Sequence, residues 1–152
     1  MVPSSPVTPP PEEQIGYLLV RIAHALTQRW THDLSAHGLT ARQHGVLAAL
    51  DSRPDISAGA LARTVMITPQ AVGELLSGLL ERGLVDRSPP PGRGRAAQLR
   101  LTDAGRRVLE AVRPVTVDHN APAALGLDDD EAAQLRVLLQ RVLAATSPTA
   151  NR

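Results

Sequence analysis

The sequence predicts a mainly α-helical protein that carries one small β-hairpin. Its 152 residues include no Phe, one Trp and one Tyr, so a core must be built from Leu, Val, Ala and Ile. Leu and Ala favour helices, and 43% hydrophobic residues is enough for the core of one domain. Most of the chain repeats its apolar residues at helical spacing, while a stretch rich in Pro and Gly at 89–95 separates two short segments of strand type.

The first two helices are predicted near the N-terminus. Apolar residues recur every three or four positions and predict a long helix over residues 12–37. Thr40 and Gln43 have the spacing of a capping box, which predicts a second helix over residues 40–50. We expect a turn over residues 51–55.

Two shorter helices are predicted next, joined by a tight turn. Ser57 is placed to cap the first, and Thr68 to cap the second, in which Pro69 supplies the preset φ of a first helical position. The apolar stripe of the second helix leaves five residues pointing outward: Gln70, Ala71, Glu74, Ser77 and Gly78. Strands at 84–85 and 98–101 then flank the loop rich in Pro and Gly. This order of elements predicts a winged helix-turn-helix, whose second helix reads the major groove of DNA.

Two more helices are predicted after the hairpin. Thr102 can cap a helix that runs to about Val117, and Pro114 should bend or end it. Asp128 and Glu131 have the spacing to cap a last helix with an apolar face. The fold class is therefore mainly α, with a winged helix-turn-helix, a small hairpin wing and long terminal helices.

The pattern predicts a single domain over residues 12–146. We expect its DNA-binding lobe at 40–113 and dimerisation helices at 12–38 and 102–146, with a flexible tail at 147–152. The N-terminal residues up to Pro11 are rich in Pro and Ser and are expected to form a disordered leader. An alternative use of the terminal helices is to complete the core of the monomer.

The distribution of charge also indicates nucleic acid as a partner. Residues 40–113 hold eleven Arg and seven acidic residues, a net charge of +4, whereas the rest of the chain has a net charge of −3. Residues 87–107 hold six Arg and one acid, Asp103. A positive field concentrated on the hairpin and the next helix attracts phosphate.

Several function classes find no support in the sequence. The absence of Cys excludes disulfides and thiolate metal sites, and the five His show no ligand-pair spacing, so we expect no metal and no cofactor. No Gly-rich phosphate loop or nucleophile motif occurs, and we expect no enzyme activity. Without a long apolar run or a signal sequence, the chain is expected to be cytoplasmic and not to bind a membrane.

Five short segments follow one another along the chain: Gly38-Leu39-Thr40-Ala41-Arg42-Gln43, Leu61-Ala62-Arg63, Thr68-Pro69-Gln70-Ala71-Val72, Leu80-Glu81-Arg82-Gly83-Leu84-Val85 and Leu101-Thr102-Asp103-Ala104-Gly105. Taken in this order, they closely resemble the MarR family of bacterial transcription regulators. The resemblance covers nearly the whole chain after Pro11. It implies a homodimeric regulator, most often a repressor, that binds a palindromic site on double-stranded DNA and responds to a small aromatic or anionic effector.

The resemblance also implies roles for individual residues. The entry of the recognition helix matches the family at Thr68, Pro69, Gln70 and Ala71, with Ser77 further along, and the tip of the wing matches at Arg95. An effector pocket is implied by four residues of the first helix: Tyr17, Arg21, His24 and Trp30. For Trp30, packing in the core is an equally weighted alternative.

Other DNA contacts are expected from the residues themselves. Thr40, Ser57 and Thr68 lie at helix starts, where free amides can bind phosphate. Four arginines are candidate phosphate contacts: Arg42, Arg63, Arg87 and Arg100.

Two departures from the family pattern affect these expectations. Arg93 stands where the family usually has an acid, so we expect a more basic wing without the ion pair that usually stabilises it. The recognition helix has no Arg or Lys before Arg82, which makes direct guanine readout doubtful. The alternatives are therefore a winged-helix protein-binding module that has lost DNA binding and a metal- or ligand-sequestering protein.

Overall fold

The computed structural model describes residues 9–88 and 96–146. Its regular elements, in chain order, are α1 (Ile15–Ser35), α2 (Ala41–Ser52), β1 (Ile56–Ser57), α3 (Ala58–Thr64), α4 (Pro69–Glu81), β2 (Val85–Ser88), β3 (Gln98–Leu101), α5 (Asp103–Asn120) and α6 (Asp129–Thr146). Single 3₁₀ turns cover Pro11–Glu13 and Pro122–Leu125. The predicted leader up to residue 8, the loop at 89–95 and the predicted tail lie outside the described residues.

The mainly helical fold class is confirmed, but α1 is shorter than predicted. The helix starts at Ile15 because Gln14 has extended backbone angles, φ −81° and ψ 119°, after the 3₁₀ turn. It ends at Ser35, and Gly38 then adopts a φ of +66°, which glycine tolerates without a steric cost.

The capping box predicted for α2 is confirmed. The Gln43 amide donates to Thr40 Oγ1 at 3.2 Å, and the Thr40 amide donates to Gln43 Oε1 at 3.0 Å. The helix extends to Ser52, so the predicted turn over residues 51–55 was placed two residues too early. Pro54 explains the end, because the residue before a proline is disfavoured in the helical region, and Arg53 has φ −140° and ψ 79°.

The helix-turn-helix is formed by α3 and α4, as predicted. Ser57 Oγ accepts the amide of Ala60 and Thr68 Oγ1 accepts the amide of Ala71, each at 3.2 Å. Between the helices the chain turns through Met66, whose φ is +53°. The Ile67 amide then donates to the Ala62 carbonyl at 3.1 Å. Met66 therefore occupies the left-handed position that follows the end of a helix, where glycine is the usual residue.

The sheet has one strand more than the predicted hairpin. All three strands pair antiparallel in the order β1-β3-β2, and Ile56 lies opposite Leu99. With only two residues, β1 is too short to show an alternating pattern, and its pairing partner lies more than forty residues away. The Gly105 position is close to this sheet, since a Cβ there would lie 2.2 Å from the Leu84 carbonyl oxygen.

The two C-terminal helices carry the predicted caps. Thr102 Oγ1 accepts the Gly105 amide at 3.0 Å, and Asp128 and Glu131 exchange hydrogen bonds at 2.9 and 3.0 Å. The predicted end of α5 near Val117 was wrong, because the helix passes Pro114 and continues to Asn120.

The described residues form two compact units, divided between Val112 and Arg113. The first unit holds the core, in which the largest fully buried side chains include Leu34, Leu47, Leu50, Leu61, Leu76, Leu79 and Leu99. In the second unit the apolar side chains of α6 are exposed, including Leu135, Leu138, Leu139 and Leu143. Across the described ranges, every helix is too short or too polar to cross a membrane.

Candidate nucleic-acid interface

Helix α4 separates a buried face from a polar face. Val72, Leu76 and Leu79 are at most 1% exposed and hold the helix on the core of the first unit. Because residues two positions away lie on the other side of the helix, Gln70 and Ser77 are exposed. The arrangement presents a carboxamide and a hydroxyl to a partner, and a Gln carboxamide can bond both the N6 and N7 atoms of an adenine.

The other α4 residues predicted to contact DNA offer fewer free polar groups than Gln70. Pro69 is exposed at the helix start, while Ala71 is half-buried. The Ser77 hydroxyl donates to Glu81 Oε1 at 3.4 Å, so it is partly used within the helix. Glu74 is exposed on the same polar face. This face therefore favours hydrogen bonding and methyl contacts over charge attraction.

The helix starts expected to bind phosphate are partly occupied by internal hydrogen bonds. At α2, Thr31 Oγ1 accepts the Ala41 amide at 3.3 Å, in addition to the bond from Gln43 to Thr40. Pro69 has no amide to offer at the start of α4. The Thr40, Ser57 and Thr68 hydroxyls act as caps, which leaves few amides at each start for an anion.

The predicted phosphate-binding arginines differ in their surroundings. Arg42, Arg63 and Arg87 are exposed. Arg100 instead pairs through Nε with the carboxylate of Asp55, whose φ is +65°. That ion pair joins β3 to the turn before β1 and occupies part of the guanidinium. Arg93 and Arg95, the predicted wing residues, lie outside the described residues.

Sequence reasoning missed a contact at the far end of the recognition helix. Arg82 follows α4 directly, and its Nη1 donates to the Gly38 carbonyl at 2.9 Å across 44 residues of sequence. The bond holds the end of α4 against the turn between α1 and α2. An Arg beside the Gly83 helix stop is its only local sign, and that sign does not reveal the acceptor.

The structure does not bring the four predicted effector residues together. Tyr17, Arg21 and His24 are exposed and share one face of α1, with the Arg21 guanidinium 5.8 Å from the centre of the Tyr17 ring. Trp30 is about 140° away around the same helix at 3.6 residues per turn. It packs on His44 of α2, with ring centres 5.1 Å apart. Trp30 also lines a cleft between α1, α2 and the turn that joins α3 to α4, which the other three residues do not line.

Two side chains have shifted pKa values. Burial beside Trp30 lowers the pKa of His44, because it favours the neutral form of the imidazole. A hydrogen bond from Arg106 Nη2 at 2.6 Å lowers the pKa of Asp103 at the start of α5. Neither side chain belongs to a cluster that could bind a metal ion, since the described ranges contain no group of three or more potential metal ligands.

A short helix, a tight turn, a helix with a polar outer face, a hairpin and exposed arginines together define the winged helix-turn-helix class of DNA-binding proteins. A family model described as the MarR family matches residues 37–96. The transcriptional regulator HosA of Escherichia coli is 32% identical over 107 residues, which are 69% of this chain and 78% of that protein. This chain belongs to the MarR family.

Other relatives match a larger share of this chain. The HTH-type transcriptional repressor Rv2887 of Mycobacterium tuberculosis is 29% identical over 128 residues, 84% of this chain and 92% of that protein. Its crystal structure in complex with salicylic acid superposes with a TM-score of 0.69 over 85% of this chain and 96% of that one. A mutant of E. coli MarR complexed with operator DNA has 27% identity and a TM-score of 0.77 over 85% of this chain and 93% of that one.

Proposed function

We propose that this chain is a homodimeric transcriptional repressor that binds a palindromic operator and releases it when a small aromatic or anionic effector binds. The observation that carries the proposal is α4, a capped helix held by a buried stripe that leaves Gln70 and Ser77 facing outward. The operator complex of MarR and the salicylic acid complex of the M. tuberculosis repressor support the two ligand classes.

A dimer gives this arrangement its specificity. Two α4 helices related by a two-fold axis match half-sites about 34 Å apart, one turn of DNA. The exposed apolar side chains that a second copy would cover include Ile15 and Val20 of α1 and Leu138 and Leu143 of α6. An effector that changes the spacing of the two helices would lower operator affinity by the difference in its own affinity for the two spacings.

The first test is binding to the DNA fragment upstream of the chain's own gene. Affinity is measured at two salt concentrations, with an unrelated fragment of equal length as the control. We expect preferential binding that weakens as salt rises, because counterions are released from the phosphates that the arginines contact. Equal binding to both fragments, or none, would favour a winged-helix module that binds protein.

A pair of variants separates base reading from phosphate contact. Gln70→Ala should cost about 1 to 3 kcal/mol on the preferred site and much less on unrelated DNA, without changing the salt dependence. Arg63→Ala should weaken binding to all DNA equally and reduce the salt slope by about 1. An equal loss on every DNA sequence for Gln70→Ala would exclude a reading role for this residue.

A further inference from the structure

Helix α4 is held at its two ends by different segments of the chain. At its start, the turn that leads into Thr68 is closed on α3 by the Ile67 amide, which donates to the Ala62 carbonyl at 3.1 Å. At its end, Arg82 Nη1 donates to the Gly38 carbonyl at 2.9 Å, in the turn between α1 and α2. Between these ends α4 rests on its buried apolar stripe. Because apolar burial is non-directional whereas a hydrogen bond has a preferred geometry, the Arg82 bond constrains the direction of α4 more than the stripe does.

The backbone of Gly38 is shaped to accept this bond. Gly38 follows the end of α1 with a φ of +66°, and its amide donates to the Ser35 carbonyl at 2.9 Å. The Leu39 amide donates to the Leu34 carbonyl at 3.2 Å, so both amides close the end of α1. A Cβ at Gly38 would lie 3.5 Å from Arg82 Nη2, which places the guanidinium against this backbone. Gly38 therefore provides both the left-handed turn and the contact with Arg82.

The surroundings of Arg82 make this bond its main interaction. Among the described residues, Arg82 forms no salt bridge, whereas Arg100 and Arg106 each pair with an Asp. A guanidinium that donates to a carbonyl forms a charge-assisted hydrogen bond, about twice as strong as a neutral one. Arg82 itself is exposed, so its removal leaves no cavity in the core. The bond therefore affects the orientation of α4 more than the packing of the first unit.

A small tilt of α4 would move its candidate reading residue by a distance that matters for DNA. Gln70 lies about 18 Å from Arg82 along the helix, at about 1.5 Å per residue. A tilt of about 10° around the Arg82 end would displace Gln70 by about 3 Å, close to the rise of about 3.4 Å per base pair. In a two-fold symmetric dimer the displacement occurs on both sides of the axis. An α4 that is free to tilt would therefore accept half-sites of more than one spacing.

We propose that Arg82 is a positioning residue, which fixes the tilt of α4 relative to α1 through the Gly38 carbonyl and thereby sets the half-site spacing that the dimer accepts. The inference rests on the proposed function, in which a second copy covers the exposed apolar side chains of α1. Arg82 acts through α4 and is not itself a DNA contact. Its loss should therefore relax the choice of spacing without changing the number of phosphate contacts.

The first test needs no DNA and uses the full chain. Hydrogen exchange is compared between the unmodified chain, Arg82→Gln and Arg53→Gln, which removes an exposed arginine outside this turn. We expect the Gly38 and Leu39 amides, which close the end of α1, to exchange severalfold faster in Arg82→Gln and at the unmodified rate in Arg53→Gln. Unchanged exchange in Arg82→Gln overturns the inference, because the bond would then not hold the turn.

The second test uses the segment of the upstream fragment that the chain protects from nuclease. Versions with one base pair inserted at its centre, or removed from it, change the half-site spacing. We expect Arg82→Gln to lower the preference for the original spacing at least threefold with an unchanged salt slope, and Arg53→Gln to keep the preference. An undiminished preference in Arg82→Gln overturns the inference. A salt slope reduced by about 1 also overturns it, because Arg82 would then be a phosphate contact.

Substitution of the acceptor residue tests the same bond from the other side. Gly38→Ala disfavours the left-handed φ and moves the carbonyl, so it should lower the spacing preference by a similar factor. Gly126→Ala is the matched control and should keep the preference, because Gly126 has a φ of +74° and open space at its Cβ position. Gly38→Ala combined with Arg82→Gln should lower the preference no further than Arg82→Gln alone. Additive losses overturn the coupling between the two residues.

Failure of the proposed function and failure of this inference give different results. An unmodified chain that binds no DNA contradicts the proposed function, and with it any role in half-site spacing. An unmodified chain that prefers one spacing, together with an Arg82→Gln variant that keeps the preference, contradicts the role of Arg82 alone.

Discussion

Helices α4 and α6 carry the same kind of apolar stripe but differ in what covers it. In α4, Leu76 and Leu79 are no more than 1% exposed, because the core of the first unit closes over them. In α6, Leu138 and Leu143 remain 47% and 53% exposed. Helical spacing of apolar residues therefore predicts a helix and its apolar face, but it does not predict whether the same chain or another one covers that face.

The uncovered face of α6 accounts for the proposed homodimer. Fully burying a Leu side chain contributes about 1.5 to 3 kcal/mol, so several exposed Leu residues on one helix favour association. The second unit also holds an apolar groove that includes Leu135, Leu139 and Leu143, with Arg136 and Gln140 among its polar lining residues. Burial of the apolar stripe of α4 holds the DNA-reading face of that helix in place. Burial of the apolar stripe of α6 against a second copy would fix the position of that copy.

The largest expected effect comes from a charge placed in that groove. Leu139→Glu should convert the dimer to a monomer and weaken operator binding at least a hundredfold, because a monomer contacts one half-site only. Light scattering measures the mass, and titration with operator DNA measures the affinity.

Val137→Glu is the matched control for this variant. Val137 lies on the opposite side of α6, outside the groove, and is 56% exposed against 41% for Leu139. We expect it to remain dimeric. Dissociation by both variants would show that the groove is not the contact face, and dissociation by neither would contradict the α6 dimer.

The next effect contrasts one Leu from each helix. Leu76→Ala should cost about 2 to 5 kcal/mol of unfolding free energy at any protein concentration, because it leaves a cavity in a closed core. Leu138→Ala should destabilise the protein by an amount that depends on protein concentration, since a second copy is proposed to cover this side chain. Urea unfolding at two concentrations tests both; concentration-independent loss for Leu138→Ala would contradict the proposed cover.

The smallest effect concerns pH and the closed core. The folded-state pKa of His44 is lowered from 6.5 by burial, so below that pH the unfolded chain binds more protons than the folded one. Stability should therefore be greatest above pH 6.5 and fall as the pH drops below it. His44→Gln should flatten this slope, whereas a change at exposed His37 should leave it intact. An equal slope in His44→Gln would exclude His44 as its source.

Local interactions are the part of this fold that sequence reasoning predicted well. The caps at Thr40, Ser57, Thr68 and Thr102 all form as expected, because each joins a side chain to an amide three residues away. The polar face of α4 follows from the position of its apolar stripe within one helix. The candidate reader Gln70 was therefore placed on the surface from sequence alone.

Contacts between distant residues could not be predicted in this way. The pairing of β1 with β3, the Arg82 hydrogen bond to Gly38 and the Arg100 ion pair with Asp55 each join segments more than forty residues apart. Residue spacing along one segment carries no record of which segment will lie beside it. The separation of Trp30 from Tyr17 has the same origin, because it depends on which side of α1 meets α2.

The sequence by itself determined the helices, their caps, the helix-turn-helix order and the family, since all of these depend on residue types at short separations. Tertiary structure decided which apolar faces are covered, which arginines have partners and where a cleft opens beside Trp30 and Arg42. Those outcomes depend on how helices and strands pack, and packing joins surfaces that the chain order keeps apart.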